Sequence, residues 1–404
     1  MTTGQAAQPL PEEVEPPRAL DVLRRFVQGD LASLRVFVVL AVIWIIFQLQ
    51  NSNFLTANNL TNLFLQITAV GLISVGIVYV LLLGEIDLSV GAVSGLAAAV
   101  MAVLQVKHGC NPYLAIAAGV VCGCGIGLLQ GSLFTVFGVP SFVITLAGLL
   151  TWQGALLQVL GNTGTINITN GKITGLANTY YSDTVGWIFA AVVIGAYAGG
   201  TLWSYRKRLA TGLAGQPIAG VITRIVLIAA GAIAAVAVMN SARGVPLAVL
   251  ILVGFVAGGE FVVTRTRFGR HIYAVGGNAE AARRAGIRVN RIRVAVFAIA
   301  GTMAAIGGVL AASRLLAVNQ NSGGSDLLLL AIAGPVIAGT SLFGGRGSVW
   351  SALLGALVIG SISNGMDLLA LESSVKFMVT GGVLAAAVII DALARRQRQA
   401  AGRV

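Results

Sequence analysis

Charged residues are scarce in this chain of 404 residues. Lys, Arg, Asp and Glu together make up 10% of it, whereas apolar types make up 57%. A soluble domain usually carries about 25% charged residues, so this chain has too few of them to cover a water-exposed surface. The apolar residues also form runs of membrane-spanning length, about 17–25 residues each. The composition therefore excludes an ordinary soluble fold and indicates a polytopic membrane protein.

Cysteine, histidine and several enzyme motifs are also scarce or missing. The three cysteines form neither a disulfide framework nor a metal motif, and the two histidines lack Ser/His/Asp or metal-ligand spacing. There is no Gly-x-x-x-x-Gly-Lys-Ser/Thr phosphate loop, so the sequence lacks that route to ATP hydrolysis. No apolar run carries an arginine ladder or a chain of acids and histidines for proton relay. We therefore expect no catalytic residue, metal or cofactor on this chain.

The hydropathy pattern predicts an all-α bundle of about twelve transmembrane helices, with ten as the lower bound. The predicted spans are 33–50, 63–83, 86–106, 113–137, 139–160, 185–204, 223–239, 245–263, 293–313, 326–343, 347–363 and 375–391. Several are rich in Gly and Ala, which allow helices in a membrane to approach closely. The predicted transmembrane domain, 32–391, lies between a flexible tail at 1–31 and a basic tail at 392–404.

The basic residues indicate the orientation of the chain. If the N-terminus lies inside and the spans alternate, all but five of the 26 Lys and Arg fall in inside segments. The exceptions are Lys107, Lys172, Arg243, Arg314 and Lys376. This asymmetry is the positive-inside pattern, which predicts that both termini are cytoplasmic. It also explains the net charge of +12 without a nucleic-acid partner.

Two carboxylates lie close together in residues 84–91, between two apolar runs. A charge at the centre of a membrane helix costs roughly 2.5–3.5 kcal/mol on insertion scales. The presence of both Glu85 and Asp87 between two apolar runs therefore needs an explanation. One interpretation is that Asp87 or Ser89 caps the following helix while Glu85 lies at the interface. The other is a broken helix whose start faces a polar pathway. Both interpretations are open at this point.

A long basic segment, 264–293, is predicted on the inside. Asn278 is placed to cap a short helix that includes Glu280, and Gly286 is placed to end it. The segment is either a solvated connector that only sets topology or a surface helix that binds a cytoplasmic partner. The residues alone leave both possibilities open.

Polar and glycine-rich segments complete the set of candidates. Residues 319–326 are rich in amides and hydroxyls, which suit a neutral polyol better than an ion, although an ordinary flexible loop is the alternative. Proline removes a helix hydrogen bond within a predicted span, and the glycines after it form a turn or a hinge. These hinge or turn residues are Pro335, Gly344, Gly345, Arg346 and Gly347. The candidate pathway residues are Glu85, Asp87, Ser89, Gln153, Asn162, Asn319 and Asn364.

Together these segments resemble the permeases of ABC-type sugar importers of the ribose, xylose, arabinose and galactose group. Residues 84–91 are similar to the family's Gly-Gly-Ile-Asp-Leu-Ser-Val-Gly, with Glu85 in place of the second Gly. Residues 275–287 are similar to its loop Ala-x-Gly-Gly-Asn-x-x-Ala-Ala-x-x-x-Gly-Ile, and 338–347 to its turn Gly-Gly-Thr-Ser-Leu-Phe-Gly-Gly-Arg-Gly. Glu85 and the extended middle, 161–241, resemble the xylose-type permeases most.

The resemblance implies an importer in a bacterial inner membrane. Two permease copies, as a homodimer in the lipid bilayer, would form the pathway. Cytoplasmic ATPase subunits would bind and hydrolyse ATP, and an extracytoplasmic sugar-binding protein would deliver D-xylose. Ribose, galactose or another small polar solute is the alternative cargo, and an ion-coupled secondary transporter is the alternative of another class.

The resemblance also makes residues 264–293 a cytoplasmic coupling loop that contacts the ATPase. Its implied contact residues are Gly276, Gly277, Asn278, Glu280, Ala281, Ala282 and Gly286. Of these, Glu280, Ala281, Ala282 and Gly286 are similar to the Glu-Ala-Ala-x-x-x-Gly coupling motif of ABC permeases. The Leu-Pro that usually follows the motif is missing, and Val296 and Phe297 stand near that place.

Overall fold

The structure is a computed structural model that describes residues 32–211 and 218–400, which are mostly helical. The helices are α1 Ala32–Gln50, α2 Ala57–Leu82, α3 Val90–Ala102, α4 Pro112–Phe137, α5 Ser141–Leu160, α6 Gly171–Asn178, α7 Asp183–Ala210, α8 Ile218–Asn240, α9 Leu247–Arg265, α10 Arg267–Gly277, α11 Ala279–Arg284, α12 Val289–Leu315, α13 Ser325–Ile337, α14 Trp350–Leu368 and α15 Ser373–Ala400. A π-helical turn, Val103–Lys107, extends α3, and a 3-10 turn, Gly161–Thr163, follows α5.

Nine helices in the described part of the chain are long and apolar enough to cross a membrane. They are α2, α3 with its π-helical turn, α4, α5, α7, α8, α9, α12 and α14. The other three predicted spans coincide with shorter apolar stretches, namely Val36–Gln50, Asp326–Ile337 and Ser373–Ala386. The all-α polytopic fold is therefore confirmed. The count of twelve spans and the cytoplasmic position of both termini stay predictions.

The two predicted tails lie at the edge of what the structure describes. The N-terminal tail, 1–31, lies outside the described residues. Helix α15 continues to Ala400, so residues 392–400 of the predicted basic tail extend the last helix. Residues 401–404 lie outside the described part.

Helices α2 and α12 pack against each other at the centre of the bundle. Gly76 of α2 faces the α12 backbone, where a Cβ on this glycine would lie 2.9 Å from the Cα of Ala300. On another side α12 contacts α4, and the backbones at Gly123 and Gly301 leave no room for a Cβ on either residue. Small residues thus set the spacing of the central helices, as expected for a membrane bundle.

Two similar units form the middle of the bundle. Helices α2 and α12 have 26 and 27 residues, and each is followed by a non-helical break and a helix of 13 residues, α3 or α13. The two units touch where these shorter helices begin, since a Cβ on Gly91 would lie 2.8 Å from the Gly323 carbonyl oxygen. If the spans alternate as predicted, α2 and α12 run in opposite directions. The order of the elements in the two units would then correspond to an inverted repeat, an arrangement common in transporters.

Short strands tie together loops that are predicted on the outside. Strand β1 (Thr165–Asn167) pairs antiparallel with β4 (Ala317–Asn319), and β2 (Tyr180–Tyr181) pairs with β3 (Val245–Pro246). The loop after α5 is thereby fixed to the end of α12 and the start of α9. Pairing between these segments is consistent with spans that alternate, because alternation places all four strands on one side.

Candidate translocation and coupling sites

Three glycine-containing segments that are distant in sequence meet at one point. They are the end of α2 with the following residues to 89 (the α2–α3 break), the end of α10, and the turn at 338–349 (the glycine turn). The Gly345 amide donates a hydrogen bond of 2.9 Å to the Leu82 carbonyl oxygen. A Cβ on Gly276 would overlap that same oxygen, and one on Gly84 would lie 3.2 Å from the Phe343 oxygen. The three backbones therefore cross at a distance that only glycine permits.

The glycine turn is held from the side by α9 and α10. Glu260 Oε2 accepts hydrogen bonds from the Val349 amide at 2.7 Å and from the Ser348 hydroxyl at 2.9 Å. The Tyr273 hydroxyl donates to the Gly347 carbonyl oxygen at 2.8 Å. Burial and the nearby Glu260 carboxylate raise the pKa of Tyr273 to about 12. Tyr273 thus stays a neutral donor over the physiological pH range.

The predicted hinge residues form a tight turn in the described state. Gly344 and Gly345 adopt positive φ angles of 83° and 71°, which favour glycine. Pro335 lies within α13, and its carbonyl oxygen accepts a bond of 2.9 Å from the Thr340 amide, where the helix ends. The Arg346 carbonyl oxygen accepts from the Ser341 amide at 3.0 Å, which closes the turn. Whether this turn also moves as a hinge stays a prediction.

The coupling loop contains the short helix that its sequence predicts, α11. Asn278 Oδ1 accepts a hydrogen bond from the Ala281 amide at 2.9 Å and so caps the helix, and Gly286 ends it with φ of 84°. Glu280 forms ion pairs with Arg283 at 3.0 Å and Arg284 at 3.3 Å on the same helix. The predicted cap, helix and stop are confirmed.

One side of α11 is seated on the bundle and the rest faces solvent. Ala282 is buried within the core cluster that includes α12 residues, whereas Asn278, Glu280 and Ala281 are exposed. Gly276, in contrast, is only partly exposed and lies at the crossing of the three backbones. The predicted contact residues therefore divide into an exposed set and a set that joins the loop to the bundle.

A buried polar network fixes the α2–α3 break. The Ser89 amide and hydroxyl both lie within hydrogen-bond distance of Asp87 Oδ1, at 2.8 and 2.7 Å. The Ser89 hydroxyl is also 2.9 Å from the side-chain amide of Gln130 on α4. Asp87 and Ser89 are buried, so in this state neither faces an open pathway. Asp87 orders the residues just before α3 through a turn. The N-cap residue of α3 is Ser89, and no side-chain capping hydrogen bond is present there, so the predicted cap is not formed.

The amide orientation of Gln130 follows from its neighbours. If the Gln130 side-chain oxygen points towards Ser89, the single proton of the Ser89 hydroxyl has two acceptors, Asp87 Oδ1 and Gln130 Oε1. In that orientation Gln130 Nε2 and Trp152 Nε1 have no acceptor among the described residues. Both nitrogens lie beside Gly148. Exchanging the amide oxygen and nitrogen allows Gln130 to donate to Ser89, and Ser89 to donate to Asp87. The exchanged orientation links α4 and the break by one chain of hydrogen bonds.

Helix α5 supplies hydrogen bonds that the break cannot form within a helix. The Leu88 amide donates to Thr145 Oγ1 at 3.1 Å, and the Ile86 amide donates to Ser141 Oγ at 3.3 Å. Non-helical backbone is tolerated in a membrane protein only where such partners or water satisfy its polar groups. The predicted break in the helix is therefore present, and protein groups bind these two amides, while Gly84 and Ile86 are exposed. Whether the break faces a polar pathway stays a prediction.

Glu85 has a different environment from Asp87. Its Oε1 lies 2.9 Å from Arg293 Nη2 on α12, and the two side chains are 15% and 26% exposed. The Arg293 guanidinium lies 5.8 Å from the centre of the Phe134 ring. The pair borders a cavity of about 370 Å³ that is also lined by Pro140 and by Arg283 of α11.

The other candidate pathway residues are spread over the molecule. Gln153 is exposed on α5, and Asn162 is exposed in the 3-10 turn that follows it. Asn319 lies opposite Thr165 in the β1–β4 pair, and its Oδ1 accepts from the Asn321 amide at 2.9 Å. Asn364 is buried and exchanges two hydrogen bonds with Asn59, at 2.8 and 3.1 Å. These four residues do not form one site with the α2–α3 break.

Sequence reasoning missed three residues that organise these sites. Gln130 is an amide within an apolar helix, and an isolated polar residue in a span is itself a signal. Glu260 lies near the inner end of the predicted span 245–263, and Arg293 is one of several basic residues of the inside segment 264–293, so neither is distinguished by sequence. Among the described residues, no group of three or more His, Cys, Asp or Glu could hold a metal ion.

A bundle of apolar helices with a broken central helix and an exposed short helix, α11, is consistent with a permease component of a membrane transport system. The chain belongs to the family described as the branched-chain amino acid transport system permease component, whose family model matches residues 59–388. The chain is thus a multi-pass protein of a bacterial inner membrane, as predicted.

Named relatives cover almost the whole chain. A xylose transport system permease protein of Escherichia coli is 39% identical over 372 residues, which are 90% of this chain and 93% of the relative. That of Haemophilus influenzae is 36% identical, covering 89% of this chain and 96% of the relative. The ribose import permease protein of Escherichia coli is 30% identical, covering 91% and 96%. No solved structure matches the chain. The predicted family of sugar-importer permeases is confirmed.

Proposed function

We propose that this chain is the transmembrane subunit of an ATP-driven importer that carries D-xylose across the inner membrane. The observation that carries the proposal is the similarity to xylose permeases over nine-tenths of the chain. The family description names branched-chain amino acids. However, the relatives between 30% and 39% identity are named for xylose, ribose and allose. A monosaccharide is therefore the substrate class that we favour.

On this proposal, ATP is bound and hydrolysed by a separate cytoplasmic ATPase subunit, and this chain itself needs no cofactor. Helix α11 supports the idea because it exposes Glu280 and Ala281 while Ala282 seats it on the bundle. A docking helix joined firmly to the bundle would pass a displacement on to α10 and α12. An extracytoplasmic sugar-binding protein would deliver the sugar at the opposite end, where β1–β4 pairing orders the loops.

We also propose that two copies form the pathway between them, with α5 near the shared surface. Little of α5 is buried within one copy, and both Gln153 and Gln158 are exposed on it. Side-chain amides that face lipid lose their hydrogen bonds to water, so an aqueous pathway suits them better. Helices α7 and α8 expose mainly apolar side chains, which suit the lipid bilayer.

The test is uptake of labelled D-xylose into cells that express this chain with a candidate ATPase and a candidate binding protein. Each component is omitted in turn, and an uncoupler is added in a parallel run with ATP maintained. We expect uptake that needs all three components and survives loss of the proton gradient. Uptake by this chain alone that collapses with the gradient would overturn the proposal in favour of a secondary transporter.

A different cargo is the alternative that the relatives support. The matches to ribose and D-allose permeases, at 30% and 32% identity, favour another small sugar if xylose fails. Competition by unlabelled ribose, allose and galactose in the same assay identifies it. Uptake of another sugar would keep the importer and change only its substrate.

A further inference from the structure

We propose that the Glu85–Arg293 ion pair links the coupling loop to the α2–α3 break and holds the inner end of the pathway in position. This inference rests on the proposed function as an ATP-driven importer. Glu85 and Arg293 are positioning residues in it, since neither needs to touch the sugar.

The first argument is the location of the pair between two elements that must move together. Glu85 lies within the break, two residues before the buried Asp87 network. Arg293 lies in the first turns of α12, nine residues after the end of α11. The connection from α11 to Arg293 is short, with four non-helical residues, 285–288, before α12 begins at Val289, so displacement of α11 by a docked partner would reach the pair.

The second argument is the environment of the two charges. At 15% and 26% exposure the side chains are largely shielded from water, so their attraction is screened less than that of a surface pair. The Arg293 guanidinium lies over the ring of Phe134. Phe134 is buried and packs against Phe297, with 4.8 Å between the ring centres. Arg293 Nε is buried and has no hydrogen-bond partner among the described residues. Glu85 is therefore the charge that compensates this guanidinium, and separating the two is costly.

The third argument is the cavity beside the pair. Its lining includes Arg283 of α11 and Asn290 at the start of α12, in addition to Glu85 and Arg293. A rearrangement of α11 would change the shape of this cavity first and the geometry of the ion pair next. Glu85 also replaces the glycine of the family motif, so this link is a feature of chains that carry an acid here.

The experiment uses the complete reconstituted transporter and compares the wild type with Glu85→Gln, Arg293→Gln and the charge exchange Glu85→Arg with Arg293→Glu. Sugar uptake and ATP hydrolysis are measured together in proteoliposomes. We expect each single variant to lower uptake per ATP by about 5-fold or more, the lower end of typical coupling effects. The charge exchange should restore a substantial part of that ratio, which independent roles of the two residues would not produce.

Lys376→Gln is the matched control, because Lys376 forms an ion pair with Asp367 at a separate place. It should leave uptake per ATP unchanged. Single variants that keep the wild-type ratio, or a charge exchange that is no better than the single variants, would overturn the inference. Failure of the wild-type complex to transport any sugar would instead count against the proposed function, so the two failures are distinguishable.

Discussion

Replacing Gly276 by alanine should destabilise the protein, whereas the same change at the adjacent Gly277 should not. Both glycines belong to the coupling loop motif and lie at the end of α10. A Cβ on Gly276 would overlap the Leu82 carbonyl oxygen and lie 2.8 Å from the Gly345 amide nitrogen. A Cβ on Gly277 would meet no described heavy atom within 4 Å. Comparing the two alanine variants therefore tests whether close packing at Gly276, and not membership of the motif alone, requires glycine.

The magnitude follows from the atoms involved. Leu82 and Gly345 present backbone atoms, which cannot rotate away, and they share a hydrogen bond of 2.9 Å. Overpacking costs about 1–3 kcal/mol, and loss of the hydrogen bond adds about 0.5–1.5 kcal/mol. The better helix propensity of alanine recovers about 1 kcal/mol. The free energy of unfolding should therefore fall by about 0.5–3.5 kcal/mol for Gly276→Ala and stay level or rise slightly for Gly277→Ala.

The assay is the midpoint of heat-induced loss of the monodisperse, detergent-solubilised protein, measured side by side for the two variants and the wild type. Gly276→Ala should show the lower midpoint and a reduced level in the membrane. A Gly276→Ala variant as stable as Gly277→Ala would refute the claim that the three backbones cross in contact.

Three further substitutions test the buried contacts. Gly148→Ala should displace the Gln130 amide and lower the unfolding midpoint, whereas Gly154→Ala, on the open side of α5, should not. Tyr273→Phe should lower the free energy of unfolding by about 0.5–1.5 kcal/mol. Because the pKa of Tyr273 is raised from 10.0 to about 12 in the folded protein, the wild type should lose stability between pH 10 and 12, as the unfolded state releases the proton first. The Phe variant should lose less stability over that range, which unfolding measurements across it would show. Asp87→Asn keeps the Oδ1 acceptor and should retain its membrane level and uptake; normal level with lost uptake would show that the charge itself is needed.

Several features could be predicted from the sequence because they depend on local or averaged properties. Apolar run length and the distribution of basic residues suffice for a polytopic helical fold, since both reflect transfer between water and lipid. The cap at Asn278 and the stop at Gly286 involve only neighbouring backbone groups, and the structure has both. Motif order along the chain was enough to place it in its family.

The roles of individual polar residues were less predictable. Asp87 could be proposed as a pathway residue or as a helix cap, but its carboxylate instead forms a buried turn with Ser89, which also contacts Gln130. Asn364 looked like a pathway amide, but its partner Asn59 is 305 residues away in sequence. Hydrogen bonds of this kind depend on which helix faces which, and a single sequence does not contain that information.

The sequence by itself determined the membrane class, the positions of most helices and the short helix of the coupling loop, because hydrophobicity and capping act over a few neighbouring residues. Only the tertiary structure decided that the α2–α3 break, the end of α10 and the glycine turn cross at one point, and that Glu85 meets Arg293. The physical reason is that close packing and charge pairing act between atoms brought together by the whole bundle.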